Sequence, residues 1–295
     1  MSVVFGLFSA LAYGVSDFSA GVASRRAPYG PITVIVQLSA TLLSAVVLVF
    51  YRGSGPSSAV LLWGAVAGVG GALGTLSLYR GFAVGPMTVV ATTSAVLAAV
   101  VPAVVGIVEG NHLSAPTATG LAIAVPAIAL ISWQASPSGW ERGDSPSGWE
   151  RGDSRDTDRR GLRAGVLFGV LAGIGFGVIS VGLDRAGGHH GAWPVIISQA
   201  VATVLVLPWL RQVKGHTVRP GLAPAVGAGI LATASNVSFV LATDRGELAV
   251  IGVMVAMYPA ATILLARIVL RERWSRTQIA GFAVAAGAIG LISAG

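Results

Sequence analysis

The sequence predicts an all-α integral membrane protein of about ten transmembrane helices, arranged as two inverted five-helix repeats. Three observations carry this: a charge-poor composition, a succession of apolar stretches each about twenty residues long, and a nearly constant offset between matching residues of the two halves.

Asp, Glu, Lys and Arg make up 11% of the 295 residues, AVILMFWYC make up 54%, and the mean hydropathy is +0.78. Soluble domains carry roughly 25% charged residues, so this chain lacks the polar groups to cover a water-facing surface. The net charge of +7 does not point to nucleic acid. Its basic residues sit singly or in pairs between apolar runs, Lys214 is the only lysine, and no basic stripe interleaved with aromatics exists. With no cysteine, disulfides, thiolate metal sites and Cys nucleophiles are excluded. The chain enters its first apolar run from Met1-Ser2-Val3-Val4 without a basic segment, so that run is expected to stay as a spanning helix rather than be cleaved.

Inside a bilayer every backbone N–H and C=O must be paired within its own segment, which requires about twenty apolar residues per helix. On that criterion the spans run over 2–22, 31–51, 59–79, 87–108, 116–134, 163–183, 192–210, 221–243, 248–270 and 277–294. The long polar stretch, Ala135 to Arg160, holds SPSGWERGD twice in tandem, as Ser136 to Asp144 and Ser145 to Asp153. Its Pro, Gly, Ser and mixed charge cannot bury a core. The expected organisation is therefore a first repeat over 1–134, a disordered polar linker over 135–161 and a second repeat over 162–295. Trp140 and Trp149 of the linker are suited to the headgroup region.

The repeats are read from matched residues. Tyr13-Gly14-Val15 matches Phe176-Gly177-Val178 at an offset of 163, and Gln37, Ala40, Thr41 and Leu43 match Gln199, Ala202, Thr203 and Leu205 at 162. Gly68, Ser77, Gly120 and Leu130 to Ser132 match Gly229, Ser238, Gly281 and Leu291 to Ser293 at 161. Because five is odd, two such copies cross the membrane in opposite senses, the design that allows alternate opening to either side. All of the 19 basic residues except Arg52, Arg185 and Arg245 fall on the linker's side, so the positive-inside rule puts the linker in the cytoplasm and both termini outside.

Met257-Tyr258-Pro259, Leu270-Arg271-Glu272-Arg273, Gln278-Ile279-Ala280-Gly281 and the Gly287/Gly290 tail resemble the drug/metabolite transporter superfamily, EamA-like. The first half echoes this with Glu109 and Gly120, but has Ala98 where the second half has Pro259. The resemblance spans nearly the whole chain and implies a secondary transporter, often an exporter of amino acids, other metabolites or drugs. It also implies cytoplasmic termini, against the basic-residue distribution, which is retained here.

Asp17 is the most informative single residue, since a carboxylate at the centre of a spanning helix costs roughly 2.5–3.5 kcal/mol on insertion scales. Two readings are open: a proton site facing a central cavity, or an interfacial Asp hydrated or paired with Arg25 or Arg26. The other polar candidates are Gln37, Gln199, Asn236, Thr75, Ser77, Ser238, Thr92 and Thr93. Gln37 and Gln199 are repeat mates, as are Thr75 and Asn236, and such neutral groups suit a zwitterionic or polar organic solute, or serve as interhelical glue. Tyr13, Trp63, Tyr79, Phe176, Trp193, Phe239 and Tyr258 are candidate pocket aromatics, with lipid-facing packing as the alternative and Trp193 and Trp209 reading as interface anchors. Pro102, Pro126, Pro208, Pro224 and Pro259 mark kinks, with Pro259 the preferred hinge.

Glycines at every fourth residue from Gly161 to Gly177, and Gly64, Gly68, Gly70 and Gly74, read as close helix-packing faces. Glu109, Asp184, Asp244, Glu247 and Glu272 lie at helix ends, where solvated charge or salt bridges are the default, and His189 and His190 read as loop residues. No GxxxxGK[ST], HExxH or GxSxG occurs, so no ATP-driven or hydrolytic mechanism has local support.

The expectation is a secondary transporter exporting a small organic solute such as an amino acid, metabolite or drug by alternating access. Substrate-binding or coupling residues are Asp17, Tyr13, Gln37, Thr75, Ser77, Gln199, Asn236, Ser238 and Tyr258. Protons are the candidate coupling ion, and no cofactor, metal or catalytic residue is expected. The rivals are a membrane-embedded enzyme on lipid substrates and a non-transporting scaffold or scramblase. Arg-rich, Lys-poor, Ala/Gly-heavy usage points to the plasma membrane of a high-GC bacterium.

Overall fold

The computed structural model describes residues 1–84, 87–110, 114–132, 154–213, 217–258, 260–261, 265 and 276–294. Ten α-helices lie among them. The first repeat holds α1 (Ser2–Arg26), α2 (Tyr29–Phe50), α3 (Ser58–Val84), α4 (Met87–Val108) and α5 (Ala115–Ser132). The second holds α6 (Ser154–Ala186), α7 (Trp193–Val206), α8 (Arg219–Thr243), α9 (Leu248–Val255) and α10 (Arg276–Ala294). Among the described residues, six spans are long and apolar enough to cross a membrane, and α4, α5 and α10 contribute shorter apolar stretches.

Proline sets several boundaries. Ala27, which precedes Pro28, is extended at φ −156° and ψ 161°, because the proline ring disfavours helical backbone before it, and this separates α1 from α2. The span expected over 192–210 is helical only to Val206 and continues as a 3₁₀ helix over Leu207–Val213, where Pro208 has no N–H to donate. The span expected over 248–270 is interrupted. α9 stops at Val255, and Tyr258 N–H donates to Val255 O at 3.0 Å and Ala261 N–H to Tyr258 O at 3.0 Å, the tight three-residue spacing of turns. Pro259, the expected hinge, lies outside the described residues.

The expected linker also needs trimming, since α6 starts at Ser154 and so takes in its last residues up to Gly161. The remainder of 135–161, with Trp140 and Trp149, lies outside the described residues.

The two halves interleave. α3 lies along α6 and α1 along α8; α3 meets α7 and α2 meets α8; α4 meets α6 and α1 meets α9. Each of these pairs becomes its neighbour when the halves are exchanged. The pairs α2 with α7, α4 with α9 and α5 with α10 map onto themselves. Such a pattern is that of a pseudo-twofold axis. A Cβ at Gly246, beyond the end of α8, would stand 2.9 Å from Ser2 Cβ, and one at Gly53, beyond the end of α2, would stand 2.4 Å from the backbone N of Gly191, just beyond α6. The start of α1 and the end of α6 therefore share one end of the bundle, so the repeats are inverted.

Close approach depends on glycine where α6 meets its neighbours. A Cβ at Gly175 would lie 2.5 Å from the backbone N of Gly74, and Cβ atoms at Gly173 and Gly177 would lie 2.6 Å from Leu97 Cβ and 2.4 Å from Val101 Cβ. Without a hydrophobic drive between helices in lipid, such backbone proximity supplies the dispersion contacts that hold them.

Candidate functional site

α1 brings Ser9, Tyr13, Ser16 and Asp17 onto one stripe, because residues three and four apart share a helix face. Tyr13, Ser16 and Asp17 face a cavity in the interior of the bundle. Gln37 of α2, Thr75 and Tyr79 of α3, Phe176 and Ile179 of α6, Ser198 and Gln199 of α7 and Asn236 of α8 complete its wall. Repeat mates face the same space as pairs: Tyr13 with Phe176, Gln37 with Gln199 and Thr75 with Asn236.

A second cavity adjoins the first through the shared residues Tyr13, Phe176, Ile179 and Asn236. Its lining is more apolar: Ala98 of α4, Leu183 of α6, Phe239 of α8 and Val255 of α9, with Ser9, Ser180 and Tyr258 as its further hydroxyls. An aromatic cluster stands at the junction. Tyr13 and Phe176 make an edge contact with centroids 6.2 Å apart, and Tyr13 and Tyr258 are tilted by 46° at 5.8 Å.

Asp17 is half-buried, and among the described residues no cation pairs with it. The described ion pair lies elsewhere, between Arg185 of α6 and Glu109 just beyond α4, with the Arg185 guanidinium 4.9 Å above the Trp63 ring.

Of the residues expected from sequence, Asp17, Tyr13, Gln37, Thr75, Gln199 and Asn236 line the first cavity, and Tyr258 lines the second. Ser77 and Ser238 are buried repeat mates but line neither. Sequence reading passed over Ser9, Ser16 and Ser198. The first two were legible from their helical spacing around Tyr13 and Asp17. Ser198 adjoins Gln199 but has Val36 as its repeat mate, so the repeat gave no signal for it.

An interior cavity placed between inverted repeats, with a carboxylate and amides in its wall, is the arrangement of a solute carrier. Residues 163–294, which span the second repeat, match the EamA-like transporter family. Those residues belong to the EamA-like transporter family. The chain as a whole is a multi-pass membrane protein with the ten-helix fold. A solved crystal structure of a protein has a similar fold over 98% of this chain and 95% of that one, at a TM-score of 0.68 and 15% sequence identity. No curated protein matches this chain.

Proposed function

We propose that this protein is a proton-coupled secondary transporter, an exporter of a small organic solute, in which the two repeats rock against each other around the central cavity. The observation that carries this reading is the pairing of repeat mates in one wall, Gln37 with Gln199 and Thr75 with Asn236. A binding site on a pseudo-twofold axis presents equivalent surfaces to both sides of the membrane as the repeats exchange conformations.

Asp17 supplies the coupling site. It is the carboxylate in that wall, and an ionisable group inside a membrane commonly marks an ion or proton pathway. The aromatic cluster of Tyr13, Phe176 and Tyr258 acts as the constriction between the cavities. Arg26, Arg80, Arg211 and Arg219 stand at the linker end of the bundle and Arg52, Arg185 and Arg245 at the other, which supports cytoplasmic placement of the linker and a position in the plasma membrane of a bacterium.

The test is transport of a mixed pool of amino acids and metabolites in proteoliposomes, with and without an imposed pH gradient. Gradient-driven movement of a solute by the wild type, lost in Asp17→Asn, supports both transport and coupling. Movement that ignores the gradient in both proteins removes the coupling role of Asp17. Well-inserted protein that moves no solute overturns the transport reading.

A further inference from the structure

The two cavities differ in chemistry while sharing a waist, and this difference specifies the shape of solute that fills both. One side offers the Asp17 carboxylate among the amides of Gln37 and Gln199. The other offers an apolar space bounded by Leu183, Phe239 and Val255. Between them stand the rings of Tyr13, Phe176 and Tyr258, inclined to one another by 74° and 46° rather than stacked flat.

Aromatic rings beside a carboxylate favour a cation, because the ring faces carry negative potential and the carboxylate supplies the counter-charge. Among the described lining residues, Asp17 carries the only formal charge, and no Lys, Arg or His faces either cavity. A solute carboxylate placed there would meet like charge.

From this juxtaposition we infer that the site takes an amphipathic organic monocation, an alkylammonium with an aromatic or branched apolar group, its nitrogen at Asp17 and its apolar end in the second cavity. The inference deepens the transport reading above and rests on the same cavity. The amides of Gln37, Gln199 and Asn236 accept the remaining ammonium N–H bonds through their carbonyl oxygens, and Tyr13 covers the stem that links the two ends.

The experiment compares three probes of similar size on the full-length protein in nanodiscs by calorimetry: 2-phenylethylammonium, L-phenylalanine and 3-phenylpropionate. The ammonium probe is expected to bind at least tenfold more tightly than the zwitterion and the anion. Asp17→Asn should abolish that preference, and Tyr13→Leu should weaken the ammonium probe severalfold while leaving the order of the three unchanged. A melting curve close to wild type shows that each variant is folded, and Tyr13→Leu provides a second arm should Asp17→Asn not insert.

Equal or tighter binding of L-phenylalanine or 3-phenylpropionate overturns the inference, as does ammonium binding that is untouched by both substitutions, or binding of none of the probes. Counterflow of the same probes in proteoliposomes separates the two readings. Selective ammonium binding without movement of any solute leaves the site assignment standing and removes transport. Movement of L-phenylalanine but not of the amine leaves transport standing and removes the monocation.

Discussion

Thr41 Oγ1 and Thr203 Oγ1 share a hydrogen bond of 2.8 Å although they occupy equivalent positions of the two repeats, 162 residues apart. Two copies of one position touch only where both approach the axis that relates them. Tyr13 and Phe176, also repeat mates, make a second such contact. Together they trace the pseudo-twofold axis past α2 and α7 to α1 and α6, and the cavity containing Asp17 lies beside it.

This axis is open to a direct test because the chain has no cysteine. In Thr41→Cys/Thr203→Cys, mild oxidation should join the two halves, since a disulfide needs Cβ atoms within about 3.5–4.5 Å and the threonine hydroxyls already meet. Trypsin acting on the linker arginines would then yield halves that migrate together without reductant and separate with it. Halves that separate under both conditions would remove Thr41 and Thr203 from the axis.

The two equivalent crossings near this axis are held differently. Where α3 meets α6, Gly74 faces Gly175; where α1 meets α8, the repeat mate of Gly74 is Ser235, whose hydroxyl lies 2.8 Å from the Ser9 hydroxyl and donates to Ser9 O at 2.9 Å. Ser9→Ala and Ser235→Ala should each destabilise by about 0.5–1.5 kcal/mol, with the double variant costing less than the sum because the hydroxyls share a bond. Unfolding titrations of the four-protein cycle in detergent measure this. Full additivity would mean that the pair does not act as a unit.

Much of this architecture was legible from sequence. The repeat offset carried the inverted topology, and it also paired Gln37 with Gln199 and Thr75 with Asn236, which the fold brings to one wall. Periodicity could not separate Ser77 and Ser238 from that wall, because a polar residue in a spanning helix has the same sequence signature whether it faces a cavity or a neighbouring helix. The stop of α9 at Val255 lies close to Pro259, the hinge expected from sequence, but hydropathy alone ran the span on to 270, since it counts side chains and not backbone donors.

Glycine contacts give a graded prediction. Gly177→Ala puts a Cβ 2.4 Å from Val101 Cβ, so α6 and α4 must separate, with a cost of about 1–3 kcal/mol as for other overpacked cores. Gly287→Ala in α10 meets nothing within 4 Å and should be neutral or gain roughly 0.5–1 kcal/mol from helix propensity. Melting temperatures in one detergent compare them. A Gly177→Ala protein as stable as wild type would mean that the α4–α6 interface is looser than these distances.

Arg185 joins three parts of the fold: it pairs with Glu109 in the turn after α4, belongs to α6 and covers the Trp63 ring of α3 at 4.9 Å. The side chains of Arg185 and Glu109 are 39% and 30% exposed, so water screens the ion pair, and Glu109→Gln should cost no more than about 1 kcal/mol. Arg185→Ala should cost more, because it also forfeits the cation–π contact, worth about 0.5–1 kcal/mol at an exposed site. Arg185→Lys should recover only part of this, since an ammonium lacks the flat face that stacks on indole. Raising the salt concentration should narrow the gap between wild type and Glu109→Gln while leaving the Trp63 contribution in place. Equal losses for Glu109→Gln and Arg185→Ala at every salt concentration would show that Trp63 contributes nothing and that the ion pair alone ties α4 to α6 at this end.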